Sequence, residues 1–136
     1  MKIVEKFPPN WTQIQLALKI KDKPIFCYGD TIYNPYKEEV TPDRHYHEYI
    51  HSEQQEKIGI QNWWEQYLTN TDFRLNQELE AYGEQLIWVK KHVTDRKFIQ
   101  MMLENYADAL SSGTYGNMLE YGEAESKLRN YAKKME

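Results

Sequence analysis

The stretch "TPDRHYHEYIHSEQQEKIG", residues 41–59, predicts the helix around which the rest of the chain is organised. Thr41 is a residue type favoured at helix N-caps, and Pro42 suits the first helical position. An aspartate follows, where the positive end of the helix dipole favours negative charge. The helix is therefore expected to run from about Pro42 to Lys57 and to stop at or near Gly59. It carries three of the chain's four histidines.

Two of these histidines form the pattern H-E-x-x-H with the glutamate between them, Glu48. Residues four apart on a helix lie on the same side, about 6 Å apart at Cβ, so His47 and His51 can both direct a ring nitrogen at one ion. Zinc favours imidazole, and catalytic zinc sites typically have three protein ligands plus a water. Glu48 lies about 100° around the helix from His47, where it misses the metal but reaches the water. The pattern predicts two zinc ligands and a general base.

The competing interpretation is a solvated helix that happens to carry two histidines. Tyr46, Ile50 and Ile58 share the histidine face, which indicates that this face is turned inward. Buried histidines need polar partners, and a metal ion supplies them. His45 points about 160° away from His47 and is expected at the surface.

A third ligand is expected from "DFRLNQELEAYGEQL", residues 72–86. Glu78 lies about 60° from the centre of the apolar stripe on this predicted helix, whereas Glu80 lies about 140° away. A carboxylate beside a core stripe requires a cation or several donors, which makes Glu78 the expected ligand. The alternative is an ordinary ion pair between Glu78 and Arg74, four residues earlier. The stripe consists of Leu75, Leu79, Tyr82, Leu86 and Val89.

Aromatic residues offer further candidates. Tyr115, in a glycine-bearing loop, is a candidate donor to the oxyanion of a tetrahedral intermediate. Tyr82 is expected either to hydrogen-bond a ligand or to pack in the core. Trp63, Trp64 and Tyr67 are expected to pack in the core.

Two adjacent glutamines and the single cysteine complete the set of candidates. Gln54 and Gln55 are expected either to orient the histidines or to lie at the surface. Cys27 has no nearby histidine or second cysteine in sequence, so nucleophilic catalysis by a thiol is not expected.

The remaining pattern predicts an α+β fold, mostly helical, with a small N-terminal antiparallel or mixed sheet packed on the H-E-x-x-H helix. Trp11, Ile14 and Leu18 share one stripe of a first helix. Two short β-prone runs follow, Ile25–Tyr28 and Thr31–Tyr33, joined by Gly-Asp. Further helices are expected over an aromatic segment "QNWWEQYL", from about Asp72 to His92, from Thr94-Asp95 to about Leu110, and from about Met118 to Lys134.

Composition limits the class of protein. The 136 residues suit a single domain, 1–136, and 40% hydrophobic and 14% aromatic residues can form a core. A net charge of -4 argues against nucleic acid as a partner. No apolar stretch approaches the roughly 20 residues that span a bilayer, and no membrane partner is expected. A single cysteine fits a reducing compartment, so the expected location is cytoplasmic.

The segments "HEYIH" and "FRLNQELEAY" together resemble the zincin metallopeptidases of the gluzincin kind, especially compact single-domain ones. In those, a later helix supplies a glutamate in an E-x-E-A or E-x-x-A setting, which matches Glu78-Leu79-Glu80-Ala81. The chain is also similar to small metallopeptidase-like proteins encoded by bacteriophages. The resemblance covers about residues 25–85. It departs from the zincin pattern at Ile50, where a glycine or small residue often precedes the second histidine.

The resemblance implies zinc-dependent hydrolysis of a peptide or protein substrate. Zinc (Zn2+) held by His47, His51 and Glu78 would activate a water, and Glu48 would accept its proton. The substrate is expected to align along an edge strand, with Thr31–Tyr33 as the candidate. The alternative is a catalytically inactive zincin-like protein, phage- or virion-associated, that acts as a binding or structural module. A third possibility is a helical scaffold without metal.

Overall fold

The computed structural model describes residues 1–116 and 119–135. Over these residues the chain forms six α-helices and three short strands, which confirms the predicted mostly helical α+β fold with a small mixed sheet. No helix within this part of the chain is both long enough and apolar enough to cross a membrane. The elements are β1 (Lys2–Val4), α1 (Trp11–Ala17), β2 (Phe26–Tyr28), β3 (Thr31–Tyr33), α2 (Pro42–Ile58), α3 (Ile60–Thr69), α4 (Thr71–His92), α5 (Arg96–Leu110) and α6 (Tyr121–Lys134).

The sheet has the strand order β1-β3-β2. β2 and β3 form the predicted antiparallel hairpin, and Gly29 adopts a φ of 66° in the turn, a conformation that glycine reaches without steric cost. β1 pairs in parallel with the other side of β3. The prediction that β3 is an edge strand open to a substrate is therefore wrong. Three N-terminal residues are too few to show a strand periodicity, so nothing in the sequence indicated that β1 would cover β3.

The free edge of β2 is capped by side chains from the helices. Gln55, which is 0% exposed, donates from Nε2 to the carbonyl oxygen of Cys27 at 2.9 Å and accepts at Oε1 from the backbone N–H of Gly29 at 2.7 Å. Trp64 donates its indole N–H to the same carbonyl of Cys27 at 3.2 Å. The carboxamide of Gln55 thus replaces a neighbouring strand and fixes how α2 sits against the sheet.

Helix α2 begins and ends close to the predicted positions. Thr41 is the N-cap residue, with extended backbone, and Gly59 ends the helix with a φ of 94° that favours glycine. Ile50 on the predicted inward face is buried and Tyr46 is half-buried. Ile58, expected on the same face, is 40% exposed and lies in the last turn of α2.

The other helix starts follow from their caps. The side chain of Asn70 accepts from the backbone N–H of Phe73 at the start of α4, and the side chain of Asp95 accepts from Lys97 and Phe98 at the start of α5. Asparagine and aspartate are both favoured at helix N-caps. The last helix is described from Tyr121, and its predicted first residue, Met118, lies outside the described residues.

Two apolar clusters flank the contact between α2 and α4. One fills the space between α4, α5 and α6 and includes Leu86, Val89, Leu103, Leu110 and Leu128. The other, beneath the sheet, is aromatic and confirms the predicted packing of Trp63, Trp64 and Tyr67 with Ile14 and Phe26. The α2–α4 contact between them buries mostly polar side chains, and these form the candidate site.

Candidate metal centre

His47 and His51, one helical turn apart on α2, converge on Glu78 of α4. Their Nε2 atoms lie 3.2 Å and 3.3 Å from the same carboxylate oxygen, Oε1 of Glu78. One ligand atom from each of the three residues fits within 4.8 Å of the others, and all three side chains are buried. These three residues can hold a metal ion. The sequence-based prediction placed Glu78 at the margin of the buried face, but it is only 3% exposed and lies in a buried polar row on α4.

The spacing suits a small divalent ion. Zinc bonds to nitrogen and oxygen ligands are about 2.0–2.1 Å long, so two ligand atoms of a tetrahedral site lie about 3.3 Å apart. Both imidazole-to-carboxylate separations, 3.2 Å and 3.3 Å, are close to this value. Two nitrogens and one oxygen would fill three of the four positions of a tetrahedral site.

Gln85 fixes the tautomer of His47 through Nδ1, the ring nitrogen that does not face Glu78. The Nδ1 atom of His47 lies 2.9 Å from Oε1 of Gln85, and Nε2 of Gln85 donates to Asp43 at 2.7 Å. A carboxylate only accepts, so the amide of Gln85 must present its oxygen to the histidine. Nδ1 of His47 therefore carries a proton, and Nε2 is the ring nitrogen that faces Glu78.

Asp43 anchors this chain of hydrogen bonds. Tyr106 donates to the same carboxylate oxygen of Asp43 at 2.7 Å. Burial tends to raise the pKa of Asp43, but hydrogen bonds from Thr41, Tyr106 and Gln85 lower it overall, so the carboxyl stays ionised. The sequence assigned Asp43 only to the helix dipole. The sequence could not indicate that Asp43 also accepts a hydrogen bond from Tyr106, because the two residues are 63 positions apart in the chain.

His51 is oriented in the same way by Gln54. Its Nδ1 atom lies 2.8 Å from Oε1 of Gln54, whose Nε2 donates to the carbonyl oxygen of Gln77 at 3.1 Å and to Glu80 at 2.8 Å. Both of those partners are acceptors, which again turns the amide oxygen toward the ring. Of the two adjacent glutamines, Gln54 orients a histidine and Gln55 does not. Outer hydrogen bonds of this type hold metal-binding histidines in one tautomer.

The second oxygen of Glu78 has its own partner. Tyr67 donates its hydroxyl to Oε2 of Glu78 in a short hydrogen bond. Burial and the charge of Glu78 raise the pKa of Tyr67, so it stays a neutral donor. The alternative pairing of Glu78 with Arg74 is wrong: Arg74 donates instead to the backbone carbonyls of Tyr67 and Tyr115, at 2.8 Å and 3.1 Å.

The charges of the cluster are strongly coupled. Burial alone would lower the pKa of His51, but the Glu78 carboxylate more than compensates and raises it to about 9. Burial alone would raise the pKa of Glu78, yet the charge of His51 and the hydrogen bonds from both histidines hold it well below its ordinary range. Without a metal, His51 is therefore protonated, and the proton on its Nε2 atom lies between the ring and the Glu78 carboxylate.

Glu48 faces the cluster without belonging to it. Its Oε2 atom lies 3.8 Å from Nε2 of His47, which is too far for a hydrogen bond. Burial raises the pKa of Glu48 above its ordinary value, against the opposing effect of both histidines. A carboxylate with a raised pKa beside a potential metal site is suited to take up and release a proton.

An open cleft of about 530 Å³ leads to the cluster. Its walls are the segment before β2, the start of α2 and one face of α5. A smaller cavity of about 70 Å³ continues from it along α2 and includes His51 and Glu78. Residues 47 and 48 line both spaces, so the candidate ligand His47 and the candidate base Glu48 stand where the cleft passes into the cavity.

Tyr115 also lines both the cleft and the cavity. It lies in a short 3-10 helix, Gly113–Tyr115, and its hydroxyl is 3.1 Å from that of Tyr82. Tyr82 packs its ring on His47, with centroids 4.4 Å apart, and hydrogen-bonds Tyr115 rather than a candidate metal ligand. Burial raises the pKa of both tyrosines, so both keep their protons.

No protein family, curated protein or solved structure shows a significant match to this chain.

Proposed function

We propose that this protein is a zincin-like, zinc-dependent metallopeptidase, in which His47, His51 and Glu78 hold the metal and Glu48 is the general base. The observation that carries the proposal is the convergence of both histidine Nε2 atoms on one carboxylate oxygen, beside a buried fourth residue with a raised pKa. The resemblance of "HEYIH" and "FRLNQELEAY" to gluzincins supports the same assignment.

The donor set favours zinc. Two imidazoles suit zinc, copper, iron and nickel better than magnesium or calcium, which prefer sites built of oxygen. A two-histidine, one-carboxylate set with open positions is also used by non-haem iron oxygenases. Glu48 distinguishes the two classes, because a buried carboxylate beside the open position supplies the proton acceptor that hydrolysis needs.

Each residue of the site has its own proposed role in hydrolysis. Zinc, when bound, polarises the substrate carbonyl and lowers the pKa of a water toward about 7. Glu48 accepts a proton from the attacking water and delivers it to the leaving nitrogen. Tyr115, a neutral donor that lines both spaces, is proposed to hydrogen-bond the oxyanion. Gln85 and Gln54 keep both rings in the tautomer that offers Nε2.

The substrate is proposed to bind along the cleft beside Ile25, just before β2. Cys27 turns its carbonyl oxygen away from β3, and Ile25, two residues earlier, lies on the same side of an extended chain. Ile25 also lines the cleft. A peptide backbone could therefore pair with Ile25, whereas β3 is covered on both sides by its neighbours.

The test combines metal analysis with Glu48→Gln. Protein purified without chelators or a histidine tag should contain about one zinc per chain and cleave an unstructured protein such as casein. Glu48→Gln should keep the zinc and lose at least about 100-fold in kcat, because general-base catalysis contributes 10² to 10⁴.

Three results would contradict the proposal. Iron in place of zinc would indicate an oxygenase-type site. Zinc without cleavage of any peptide in a broad library would favour the inactive binding module. The absence of any metal would leave a helical scaffold.

A further inference from the structure

Arg44 lies on the same side of α2 as the candidate metal ligands and the candidate base. His47, Glu48 and His51 follow it by three, four and seven positions, and residues at these spacings share one side of an α-helix. The rise along the helix axis from Arg44 to Glu48 is about 6 Å. Arg44 is half-buried and lines the open cleft, as do His47 and Glu48. A substrate that lies in the cleft and reaches the metal centre therefore lies beside Arg44.

The position of Arg44 within the helix is electrostatically unfavourable. It lies in the first turn of α2, which begins at Pro42, and there the helix dipole favours negative charge and disfavours a cation. Over the described residues its side chain has no carboxylate partner, and its hydrogen bond goes from one guanidinium nitrogen to the carbonyl oxygen of Glu39 at 2.9 Å. A guanidinium has five N–H donors in a planar fork that matches a carboxylate. Residues that break a local preference without a structural gain are expected at functional sites.

The charge of Arg44 acts on the groups of the candidate site. Burial raises the pKa of Glu48, and the charge of Arg44 is among those that oppose the rise. Burial also raises the pKa of Tyr82, whose ring packs on His47, and Arg44 again acts in the opposite direction. The guanidinium is therefore near the groups that the proposed mechanism uses.

The other charged side chains of the cleft do not neutralise Arg44. Asp43 lines the cleft but already accepts two side-chain hydrogen bonds. Apart from Asp43 and the proposed base, the lining includes two further cations, Lys21 and Lys23, and two further acids, Asp22 and Asp108. These four charges balance, which leaves the charge of Arg44 unmatched in the cleft. An anionic group of the substrate would match it.

We infer that Arg44 is a specificity-determining residue: it binds a carboxylate of the substrate, so that the site prefers peptides with an aspartate or glutamate close to the scissile bond. This inference rests on the proposed hydrolytic function. Side chains on the same side of an extended peptide are about 7 Å apart, close to the rise of about 6 Å between Arg44 and Glu48 along α2. The acidic side chain is therefore expected within about two residues of the scissile bond. The guanidinium keeps its bond to Glu39 and offers its remaining N–H groups to the substrate.

Mapping of cleavage sites tests the inference. Zinc-loaded protein is incubated with casein, and the products are sequenced by mass spectrometry. Acidic residues should be enriched within about two positions of the cleaved bonds. For one such site, a synthetic peptide with aspartate should exceed its asparagine counterpart at least about 10-fold in kcat/KM, because a hydrogen-bonded pair of opposite charges has an effect of this order. Cleavage without any preference for acidic residues would overturn the inference.

Variants of Arg44 separate substrate recognition from a structural role. Arg44→Gln should reduce the difference between the aspartate and asparagine peptides to within about twofold, and Arg44→Glu should make a peptide with lysine at that position the better substrate. A purely structural role predicts an equal loss for all of these peptides. Lys57→Gln is the matched control, since Lys57 lies on the same helix but is exposed in its last turn and does not line the cleft. An unchanged preference in Arg44→Gln would overturn the inference.

Binding without turnover separates this inference from the proposed function. The monohydroxamate of succinic acid and its carboxamide analogue share a zinc-binding head and have nearly the same size, but only the first carries a carboxylate. Isothermal titration of zinc-loaded wild-type protein should show at least about 10-fold tighter binding of the carboxylate compound, and Arg44→Gln should reduce the difference to within about twofold. Failure to cleave any peptide would reject the proposed function, whereas equal affinities, or no binding of either compound, would overturn the role of Arg44.

Discussion

The contact of α4 with α2 and its contact with α5 and α6 bury very different side chains. Toward α5 and α6 the buried residues are aliphatic, as in Leu86, Val89 and Leu128. Toward α2 they are ionisable or amide groups, as in His51 and Glu78. Burial of apolar surface stabilises the fold, whereas each buried polar group costs free energy unless it is fully bonded. Apolar burial therefore stabilises one side of α4, whereas the other side depends on complete hydrogen bonding of its polar groups.

The largest expected effect is a loss of zinc affinity on the polar side of α4, which faces α2. Glu78→Gln should lower zinc affinity by about 1000-fold, about 4 kcal/mol, because it removes the negative charge of the proposed ligand on which both histidines converge. Isothermal titration with zinc measures this. Unchanged zinc affinity would show that the polar side of α4 does not bind the metal.

On the apolar side, Leu128→Ala should lower the free energy of unfolding by about 3 to 4 kcal/mol, because Leu128 is completely buried. Urea denaturation measures the change. Zinc affinity of the folded variant should stay within about twofold of wild type. A large loss of zinc binding would mean that the two sides of α4 are not independent.

The pH dependence of the free energy of unfolding should report the proton on His51, which would compete with a bound metal. Because the pKa of His51 is raised from 6.5 to about 9 by Glu78, this pair stabilises the metal-free fold fully below about pH 6.5 and less as the pH rises through 9. Up to about 3 kcal/mol should be lost over that interval. Zinc should largely remove the alkaline decline, since it takes the proton's place. A flat profile in EDTA would contradict the coupling.

The adjacent glutamines of α2 offer a matched pair. Gln54→Ala should weaken zinc binding about 10-fold or more, because Nδ1 of His51 loses the acceptor that fixes its tautomer. Gln55→Ala should leave zinc affinity nearly unchanged and instead destabilise the sheet. Zinc titration and denaturation of both variants separate the effects, and identical results for the two would refute the division of roles.

The smallest expected effect is that of Tyr67→Phe. It removes the hydroxyl that donates to Oε2 of Glu78 and keeps the ring in the aromatic cluster. The free energy of unfolding should fall by about 1 to 2 kcal/mol, with a modest loss of zinc affinity. Tyr106→Phe, at the far end of the Asp43 hydrogen bonds, is the comparison. An unchanged stability in Tyr67→Phe would show that the hydroxyl is not needed by Glu78.

Parts of the site were predictable because they depend on local geometry. A helix places His47, Glu48 and His51 in fixed relative directions whatever surrounds them. The helical wheel also indicated Glu78, although it underestimated how deeply this residue is buried. Tyr67 and Gln85 were not predicted as partners of the cluster. One of eleven tyrosines carries no distinguishing signal, and Gln85 meets His47 across 38 residues of chain.

The sequence by itself determined the helices, their caps and the histidine pair, since periodicity and capping act over a few residues. The tertiary structure alone decided that β1 covers β3, that the hydroxyl of Tyr67 binds Glu78, and that the amides of Gln85 and Gln54 orient the two histidines. These features depend on contacts between residues far apart in the chain, and the packing of α2 against α4 and the sheet brings those residues together.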